Sequence, residues 1–198
     1  MKPVSIEDIY EAAELLKPVI RETPSIPAGW SKKLYNLDLR FKCENLQRAG
    51  SFKIRGAYNR IARLSEADRA KGVVAASAGN HAQGVALAAQ LLGIKATIFM
   101  PNGAPIPKLE ATRGYGADVH FYGSTIDEAL EAAGEFSAKT GAIFIHPFDH
   151  EHIVAGQGTM GLEILAQNPE IKTAVVCLGG GGLLAGSALA IKTLRPDV

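Results

Sequence analysis

The sequence contains only two cysteines in 198 residues, Cys43 and Cys177. Two cysteines are too few for a disulfide framework, so we expect a reducing compartment and a cytoplasmic protein. Both follow apolar stretches and are expected in the core. The sequence also lacks a run of about 18 uninterrupted apolar residues, and its N-terminus lacks the apolar segment of a signal peptide. We therefore expect no membrane span.

Charge of one sign is not in excess either. The 21 lysines and arginines are balanced by 20 acidic residues, which gives a formal net charge of +1. A nearly neutral chain gives no electrostatic reason to expect nucleic acid or an anionic membrane as the main partner. Apolar residues are plentiful, at 47%, beside 21% charged residues. This composition is typical of a globular protein and favours a small-molecule partner.

Short β-branched runs alternate with longer helical patterns, which predicts an α/β protein of parallel strands and crossover helices. The pattern predicts strands at 37–43, 72–76, 95–100, 118–122, 142–145 and 173–178, and helices at 5–17, 51–64, 80–92, 108–115, 125–140, 153–167 and after the glycines to 194. Four similar β-α units lie between two polar loops. We therefore expect residues 47–146 to form a small inserted domain, and residues 1–46 and 147–198 to form part of a larger one.

A lysine stands at the start of the second predicted helix, in the segment SFKIRG. Ser51 is expected to cap this helix, so Lys53 would lie in the first turn, where the helix dipole disfavours an ammonium ion. Helical spacing places Lys53 on the apolar side, and it places Arg55, Asn59 and Arg63 on the other side. A lysine that faces inward there can act as a neutral amine in Schiff-base chemistry. Most lysines at a helix start instead extend into water.

Two further segments follow predicted strands. At Ser77–His81, backbone N–H groups, a hydroxyl and an amide converge where α/β proteins bind anions such as a carboxylate, although the turn could simply cap its helix. The glycine run 179–182 lets backbone N–H groups approach a phosphate. No Lys-Ser/Thr pair follows it, which disfavours a nucleoside triphosphatase loop. Gly180, Gly182 and Ala185 match G-x-G-x-x-A, which leaves an NAD-binding domain as an alternative.

The loop HPFDHEH resembles a set of metal ligands: His146, Asp149, His150 and His152. No pair of these residues has the i, i+4 spacing of a helical zinc motif, and the loop contains a proline. We expect a polar connection between domains rather than a metal site.

Four motifs occur in a fixed order: ENLQRAGSFKIRGA, SAGNHAQGVA, HPFDHEHIVAGQGTMGLEI and GGGGLLAG. This combination resembles the fold-type II pyridoxal-phosphate enzymes, and among them the N-terminal portion of the threonine dehydratases, or threonine ammonia-lyases. The resemblance implies two twisted, mostly parallel sheets with helices on both faces, the second sheet incomplete. It also implies pyridoxal 5'-phosphate as cofactor, a homo-oligomer in the complete enzyme, and dehydration and deamination of L-threonine, with L-serine as a further substrate.

The resemblance also implies roles for individual residues. Lys53 would bind the cofactor covalently and move the α-proton, with Phe52 beside the cofactor ring and Asn80 bonded to its phenolic oxygen. The phosphate would be held by Gly179, Gly180, Gly181 and Gly182, with Leu183 adjoining. The substrate carboxylate would be held by the loop that contains Ser77, Gly79 and His81.

The chain departs from its relatives at one informative position. Serine racemases resemble this chain but carry a serine where Ala78 stands, and they use it as an acid/base. An alanine cannot transfer a proton, which favours elimination over racemisation. A serine dehydratase or racemase of the same family remains the alternative, as does a catalytically silent fragment. No residue of this chain can be named as the partner of the cofactor's pyridine nitrogen.

Overall fold

The computed structural model describes residues 2–198, in which helices and strands alternate along most of the chain. The helices are α1 (Ile6–Leu16), α2 (Gly29–Tyr35), α3 (Lys53–Ala62), α4 (Glu66–Lys71), α5 (Asn80–Leu92), α6 (Ile106–Gly114), α7 (Ile126–Thr140), α8 (Glu151–Gln167) and α9 (Gly182–Leu194). The strands are β1 (Ser25–Pro27), β2 (Arg40–Lys42), β3 (Val73–Ala76), β4 (Ala96–Met100), β5 (Asp118–Phe121) and β6 (Ile143–Phe144). None of the helices in this range has the length and apolar character needed to cross a membrane.

Four strands form a parallel sheet in the order β5-β4-β3-β6. One of its two inner strands, β3, is buried along its whole length, because helices cover both faces of the sheet. Val73 and Ala75 pack in the cluster that contains α3 and α5, whereas Val74 and Ala76 pack with α7 on the other face. This alternation follows from the two-residue period of a strand. The predicted α/β class is confirmed.

The second sheet is smaller and differs from the sequence prediction. It is an antiparallel pair of β1 and β2, in which Ser25 lies opposite Lys42. The strand predicted at 173–178 is not formed, since these residues have no regular backbone pairing and Val175 is 91% exposed. A strand exists only beside a hydrogen-bonding neighbour, and no strand within residues 2–198 lies next to this segment. The short elements β1, α2 and α4 were not predicted from the sequence.

Neither cysteine belongs to the core, so that prediction was wrong. Cys43 is only half-buried, because it follows a strand of the two-stranded sheet. Cys177 is exposed, because it lies in the unpaired segment 173–178. Both thiols are free.

Helix α3 begins two residues later than predicted. Phe52 is its N-cap, whereas the Ser51 hydroxyl accepts a hydrogen bond from the backbone N–H of Lys53, at 3.4 Å. The predicted polar side of this helix is also wrong, because Arg55 and Asn59 are fully buried. They are buried because α8 packs across this side of α3, so that neither side of the helix near its start faces water.

Glycines allow α3 and α8 to cross at close range. A methyl group on Gly156 of α8 would lie 2.6 Å from the carbonyl oxygen of Arg55. A methyl group on Gly56 of α3 would lie 2.6 Å from the side-chain nitrogen of Gln157. Because these glycines have no side chains, the two helix backbones come into direct contact, as is usual where small residues lie at a helix crossing. This crossing sets the first turn of α3 against the second half of α8, and the later residue Asn59 against the start of α8.

Candidate functional site

Lys53 is the first residue of α3, and its side chain is half-buried. Its Nζ donates a hydrogen bond to the carbonyl oxygen of Pro147, at 2.7 Å, and lies 5.4 Å from the centre of the Phe52 ring. Burial lowers the pKa of Lys53, because the charged ammonium loses hydration and its acceptor is a neutral carbonyl. The inward-facing amine that the helical spacing predicted is therefore present.

A cavity of about 260 Å³ adjoins this amine. Several chain segments far apart in the sequence line it: Phe52, Lys53, Pro147, Phe148, Gln157, Cys177, Gly179, Gly180, Gly181, Gly182 and Leu183. The structure thus brings together the predicted lysine, its neighbouring phenylalanine and the whole glycine run. The walls are mostly apolar, with few polar groups, as in many small-molecule sites.

The glycine run forms the turn that leads into α9. Gly181 is the N-cap in the left-handed region, at φ 93°, which favours glycine. A side chain at Gly180 would collide with the Phe148 ring, and a methyl group at Gly182 would lie 2.8 Å from the Phe148 carbonyl oxygen. The first N–H groups of a helix have no partners within it and favour an anion. The run is therefore a backbone cradle that would fit a phosphate.

The Ser77–His81 segment lies at the carboxyl end of β3 and does not line this cavity. The Ser77 hydroxyl accepts a hydrogen bond from the Gly79 N–H, at 3.1 Å. The amide oxygen of Asn80 accepts one from Lys108 Nζ, at 2.8 Å. The Ser77 hydroxyl is therefore held by a neighbouring residue, and the Asn80 amide by a lysine of α6.

His81 differs from its neighbours because its ring is buried. Its Nε2 is 2.9 Å from the Ile145 carbonyl oxygen, and burial lowers its pKa to about 3. The ring is therefore neutral. Its contact with Ile145 connects the start of α5 to the residue that follows β6. The positive charge of Lys53 adds to this lowering of the pKa. Gly84, one turn further along α5, packs directly against the Lys53 backbone.

The side chains of the histidine loop stabilise backbone turns. His146 Nδ1 accepts hydrogen bonds from the N–H groups of Phe148 and Asp149, at 3.3 and 2.8 Å, and His150 Nδ1 accepts one from His152, at 3.1 Å. No three His, Cys, Asp or Glu side chains in the described part of the chain are grouped so that they could hold a metal ion.

Sequence reasoning missed three groups at this site. One is the Pro147 carbonyl, which accepts from Lys53. Another is Gln157, which is buried and lines the cavity, and whose Oε1 has no hydrogen-bond partner among residues 2–198. The third is Arg55 with its acidic partners. A polar residue within the small-residue segment AGQGTMG could have drawn attention to Gln157, but backbone acceptors such as Pro147 leave no signal in a sequence.

The sequence matches known proteins over nearly its whole length. The profile of the family described as pyridoxal-phosphate dependent enzyme matches residues 16–198. An L-threonine ammonia-lyase of Thermotoga maritima is 53% identical over 195 residues, which are 98% of this chain and 49% of that protein. A catabolic L-threonine dehydratase of Staphylococcus aureus is 48% identical over 196 residues, or 98% of this chain and 57% of that protein. The chain spans about half the length of these curated relatives.

Solved structures agree with these relatives. Maize serine racemase has a TM-score of 0.95 and 41% identity, over 98% of this chain and 59% of that one. The processed form of threonine deaminase isoform 2 from Solanum lycopersicum has a TM-score of 0.91 and 41% identity, over 100% of this chain and 56% of that one. The resemblance that the four motifs indicated is confirmed. With its half-buried lysine, its glycine cradle and this match over residues 16–198, the chain belongs to the family of pyridoxal-phosphate dependent enzymes.

Proposed function

We propose that this chain supplies the lysine and the phosphate-binding glycines of an L-threonine ammonia-lyase. The enzyme would convert L-threonine to 2-oxobutanoate and ammonia, and L-serine to pyruvate and ammonia. One observation carries the proposal: Lys53, with its lowered pKa, lines the same cavity as the glycine run 179–182. An amine that can be neutral and a cradle for a phosphate are what pyridoxal phosphate requires of its site. The relatives from Thermotoga maritima and Staphylococcus aureus support the choice of threonine.

The residues present fit the cofactor. The glycine run and Leu183 would hold its phosphate and Phe52 would lie beside its ring, whereas the bond of Asn80, outside the cavity, to its phenolic oxygen is implied by the family resemblance alone. Because the Asn80 amide oxygen already accepts from Lys108, the amide N–H groups remain to donate. When bound, the cofactor supplies an electron sink that stabilises negative charge at the α-carbon of an amino acid.

Lys53 has two roles in this proposal. Its Nζ would attach the cofactor, and after the substrate amine has displaced it, the same nitrogen would take the α-proton. A lowered pKa leaves more of this amine unprotonated at neutral pH, which both steps need. The β-hydroxyl leaves as water and a water molecule later releases ammonia, so that threonine yields 2-oxobutanoate and ammonia.

The Ser77–His81 segment would bind the substrate carboxylate. The Ser77 hydroxyl and the backbone N–H of His81 are suited to this role, whereas the Gly79 N–H donates to the Ser77 hydroxyl and the His81 ring is used by Ile145. Ala78 in the same loop has no proton to transfer, which supports elimination over racemisation. The likeness to maize serine racemase keeps a racemase as the second candidate. Formation of D-serine from L-serine, measured on a chiral column, would favour that candidate.

The test of the proposal is chemical trapping on the protein. The protein is mixed with pyridoxal phosphate, reduced with borohydride and digested, and the peptide that contains Lys53 is analysed by mass spectrometry. We expect a phosphopyridoxyl group on Lys53 and production of 2-oxobutanoate from threonine by the unreduced protein. Absence of this adduct, with tight binding of NAD, would instead support the nicotinamide alternative. An adduct without turnover would support a catalytically silent fragment.

The domain division is part of the proposal. Residues 47–146 would form a small domain around the parallel sheet, and residues 1–46 and 147–198 would belong to the larger cofactor-binding domain. The course of the chain supports this division, since the four sheet strands all lie between residues 73 and 144. Helix α3 contacts α5 and α8, so it lies where the two proposed domains meet.

We also propose that the protein forms a homo-oligomer. Six large apolar side chains around β1, α2 and β2 are between 45% and 65% exposed: Ile26, Trp30, Leu34, Tyr35, Leu37 and Phe41. A concentration of exposed apolar side chains on one region marks an interaction surface. Light scattering would show the oligomer, and Trp30→Lys would shift the mass toward the monomer. A cytoplasmic location stays a prediction from the two cysteines, both of which are free.

A further inference from the structure

Arg55 lies two residues after Lys53 on α3, and its side chain is completely buried. Its Nε and Nη2 donate to the two carboxylate oxygens of Glu44, at 2.8 and 2.7 Å. Its Nη1 and Nη2 donate to the two oxygens of Glu163, at 2.6 and 3.0 Å, and Nη1 also donates to the Thr159 hydroxyl, at 3.1 Å. All five N–H donors of the guanidinium are therefore used.

The charges of this cluster balance. Lys42 Nζ also pairs with Glu163, and it donates to the Thr23 carbonyl at 2.6 Å and to Gln167 Oε1 at 3.1 Å. Two cations thus face two carboxylates in a region almost closed to water. Burial alone would lower the pKa of Arg55, but its hydrogen bonds and charge interactions with Glu44 and Glu163 outweigh that effect and raise it. Arg55 is therefore always charged and always paired.

The cluster connects three parts of the chain at one end of α3. Glu44 belongs to the turn before this helix, Arg55 to its first turn, and Glu163 to α8. Glu163 lies in the second half of α8, and the loop before this helix contains Pro147, whose carbonyl accepts from Lys53. The bidentate pair with Glu163 resists sliding and rotation of α3 against α8, and the bidentate pair with Glu44 ties the same turn of α3 to the segment before it, because a displaced fork loses two hydrogen bonds together.

We propose that Arg55 is a positioning residue for Lys53: by fixing the first turn of α3 against Glu44 and Glu163, it sets where the lysine amine stands between Pro147 and the glycine run. This inference rests on the proposed function for the role of Lys53. Arg55 itself does not line the cavity. Its action on the site passes through the backbone of α3.

The test uses Arg55→Lys, which keeps the charge but cannot form two bidentate pairs. In the cofactor-free full chain, the pH midpoint of Lys53 acetylation by acetic anhydride is followed by mass spectrometry. We expect this midpoint to rise toward that of an exposed lysine, because the loosened helix start lets water reach the amine. In a second measurement, the rate at which Lys53 attaches pyridoxal phosphate should fall about 10- to 100-fold, as misplaced reacting groups do. Two titratable neighbours of Lys53, His81 and His146, have lowered pKa values, chiefly because they are buried, and are neutral over the range scanned. Cys177 lines the same cavity and is therefore replaced by serine throughout the series.

Lys42→Met is the matched control. Lys42 shares Glu163 with Arg55 but lies on β2, so its loss removes an ion pair while both pairs of Arg55 remain. We expect a lower melting temperature with both Lys53 measurements unchanged. If Arg55→Lys lowers only the melting temperature, or if Lys42→Met moves the Lys53 midpoint equally, Arg55 is a purely structural residue and the proposal fails.

Glu163→Gln covers the case in which Arg55→Lys does not fold. It preserves the shape of the partner and every residue of α3, and we expect a smaller rise of the Lys53 midpoint. An unchanged midpoint in this variant would overturn the proposal. Measurements on the wild-type protein distinguish a failure of this inference from a failure of the proposed function. If wild-type Lys53 shows the expected low pH midpoint of acetylation but attaches no pyridoxal phosphate, the proposed function alone is contradicted. The acetylation series tests the position of Lys53 in the absence of cofactor.

Discussion

The amine of Lys53 donates a hydrogen bond of 2.7 Å to the carbonyl oxygen of Pro147, 94 positions later in the chain. This contact joins the start of α3 to the loop before α8, and it holds the amine at the cavity that the glycine run 179–182 also lines. A carbonyl acceptor stabilises the ammonium far less than a carboxylate would, so the buried amine remains easy to deprotonate. The chemistry of the site depends on this combination.

Replacing Lys53 should remove the reaction. In Lys53→Ala we expect no covalent cofactor attachment and a loss of at least about three orders of magnitude in turnover by the complete enzyme. The visible absorption band of the attached cofactor and the rate of 2-oxobutanoate release measure the two effects. Lys139→Ala, at an exposed position on α7, is the control and should keep both. Retention of the band in Lys53→Ala would refute the assignment.

A side chain with negative charge in the glycine run should weaken cofactor binding. Gly181→Asp places a carboxylate at the anion cradle, and a non-glycine residue at φ 93° is strained. We expect at least about a tenfold higher Kd for pyridoxal phosphate, which corresponds to about 1.4 kcal/mol. Gly134→Asp, in open space on α7, should leave the Kd unchanged in the same fluorescence titration. Equal affinity in Gly181→Asp would show that the phosphate is bound elsewhere.

His81 should make the folded state sensitive to acid. Its pKa is about 3 in the folded state, mainly because of burial, against about 6.5 for an ordinary histidine. The unfolded chain therefore binds more protons between these values, so stability is complete above about pH 6.5 and falls as the pH decreases. Linkage gives a loss of about 2 kcal/mol between pH 7 and pH 5, a range in which ordinary carboxylates stay ionised.

Urea unfolding at several pH values measures this dependence on His81. His81→Gln keeps a donor for the Ile145 carbonyl but cannot titrate, so its stability should vary less between pH 7 and pH 5. The exposed His120 provides the control, since His120→Gln should retain the dependence of the wild type. A wild-type protein with equal stability at both pH values would contradict the prediction.

The crossing of α3 and α8 should not tolerate a methyl group. In Gly56→Ala the new carbon would lie 2.6 Å from Gln157 Nε2 and 2.9 Å from the Ile153 carbonyl oxygen. We expect a loss of about 1–3 kcal/mol in the free energy of unfolding, the usual effect of overpacking. Gly134→Ala, with no atom within 4 Å of the new carbon, should stabilise the helix by up to about 1 kcal/mol. An unchanged stability of Gly56→Ala would mean that the helices can separate freely.

Limited proteolysis should begin after about Gln167. The segment 173–178 has no backbone pairing, and Val175 and Leu178 are 91% and 68% exposed. Exposed, unpaired backbone is cut first, whereas residues 47–146 contain the parallel sheet and should resist. Mass spectrometry of early fragments tests this and the proposed domain division together. Early cleavage within 47–146 would contradict both.

Much of this protein could be predicted from its sequence because it depends on local chemistry. The α/β class followed from the alternation of buried strands with helical patterns, and both depend on the periods of the backbone. The glycine run 179–182 could be proposed as a binding site because four successive glycines have few structural explanations, whereas Lys53 was proposed chiefly on the family resemblance, since most lysines at a helix start extend into water. Their order along the chain carried the family resemblance.

The tertiary structure decided what depends on contacts between distant segments. It buried Arg55 and Asn59 on the side of α3 that helical periodicity assigned to water, because a second helix, α8, covers that side. It left the apolar segment 173–178 without hydrogen-bonded strand pairing, since a β-strand forms only beside a neighbouring strand. It also supplied Pro147 as the acceptor of Lys53, because any residue's carbonyl can accept a hydrogen bond and only the fold determines which one is near.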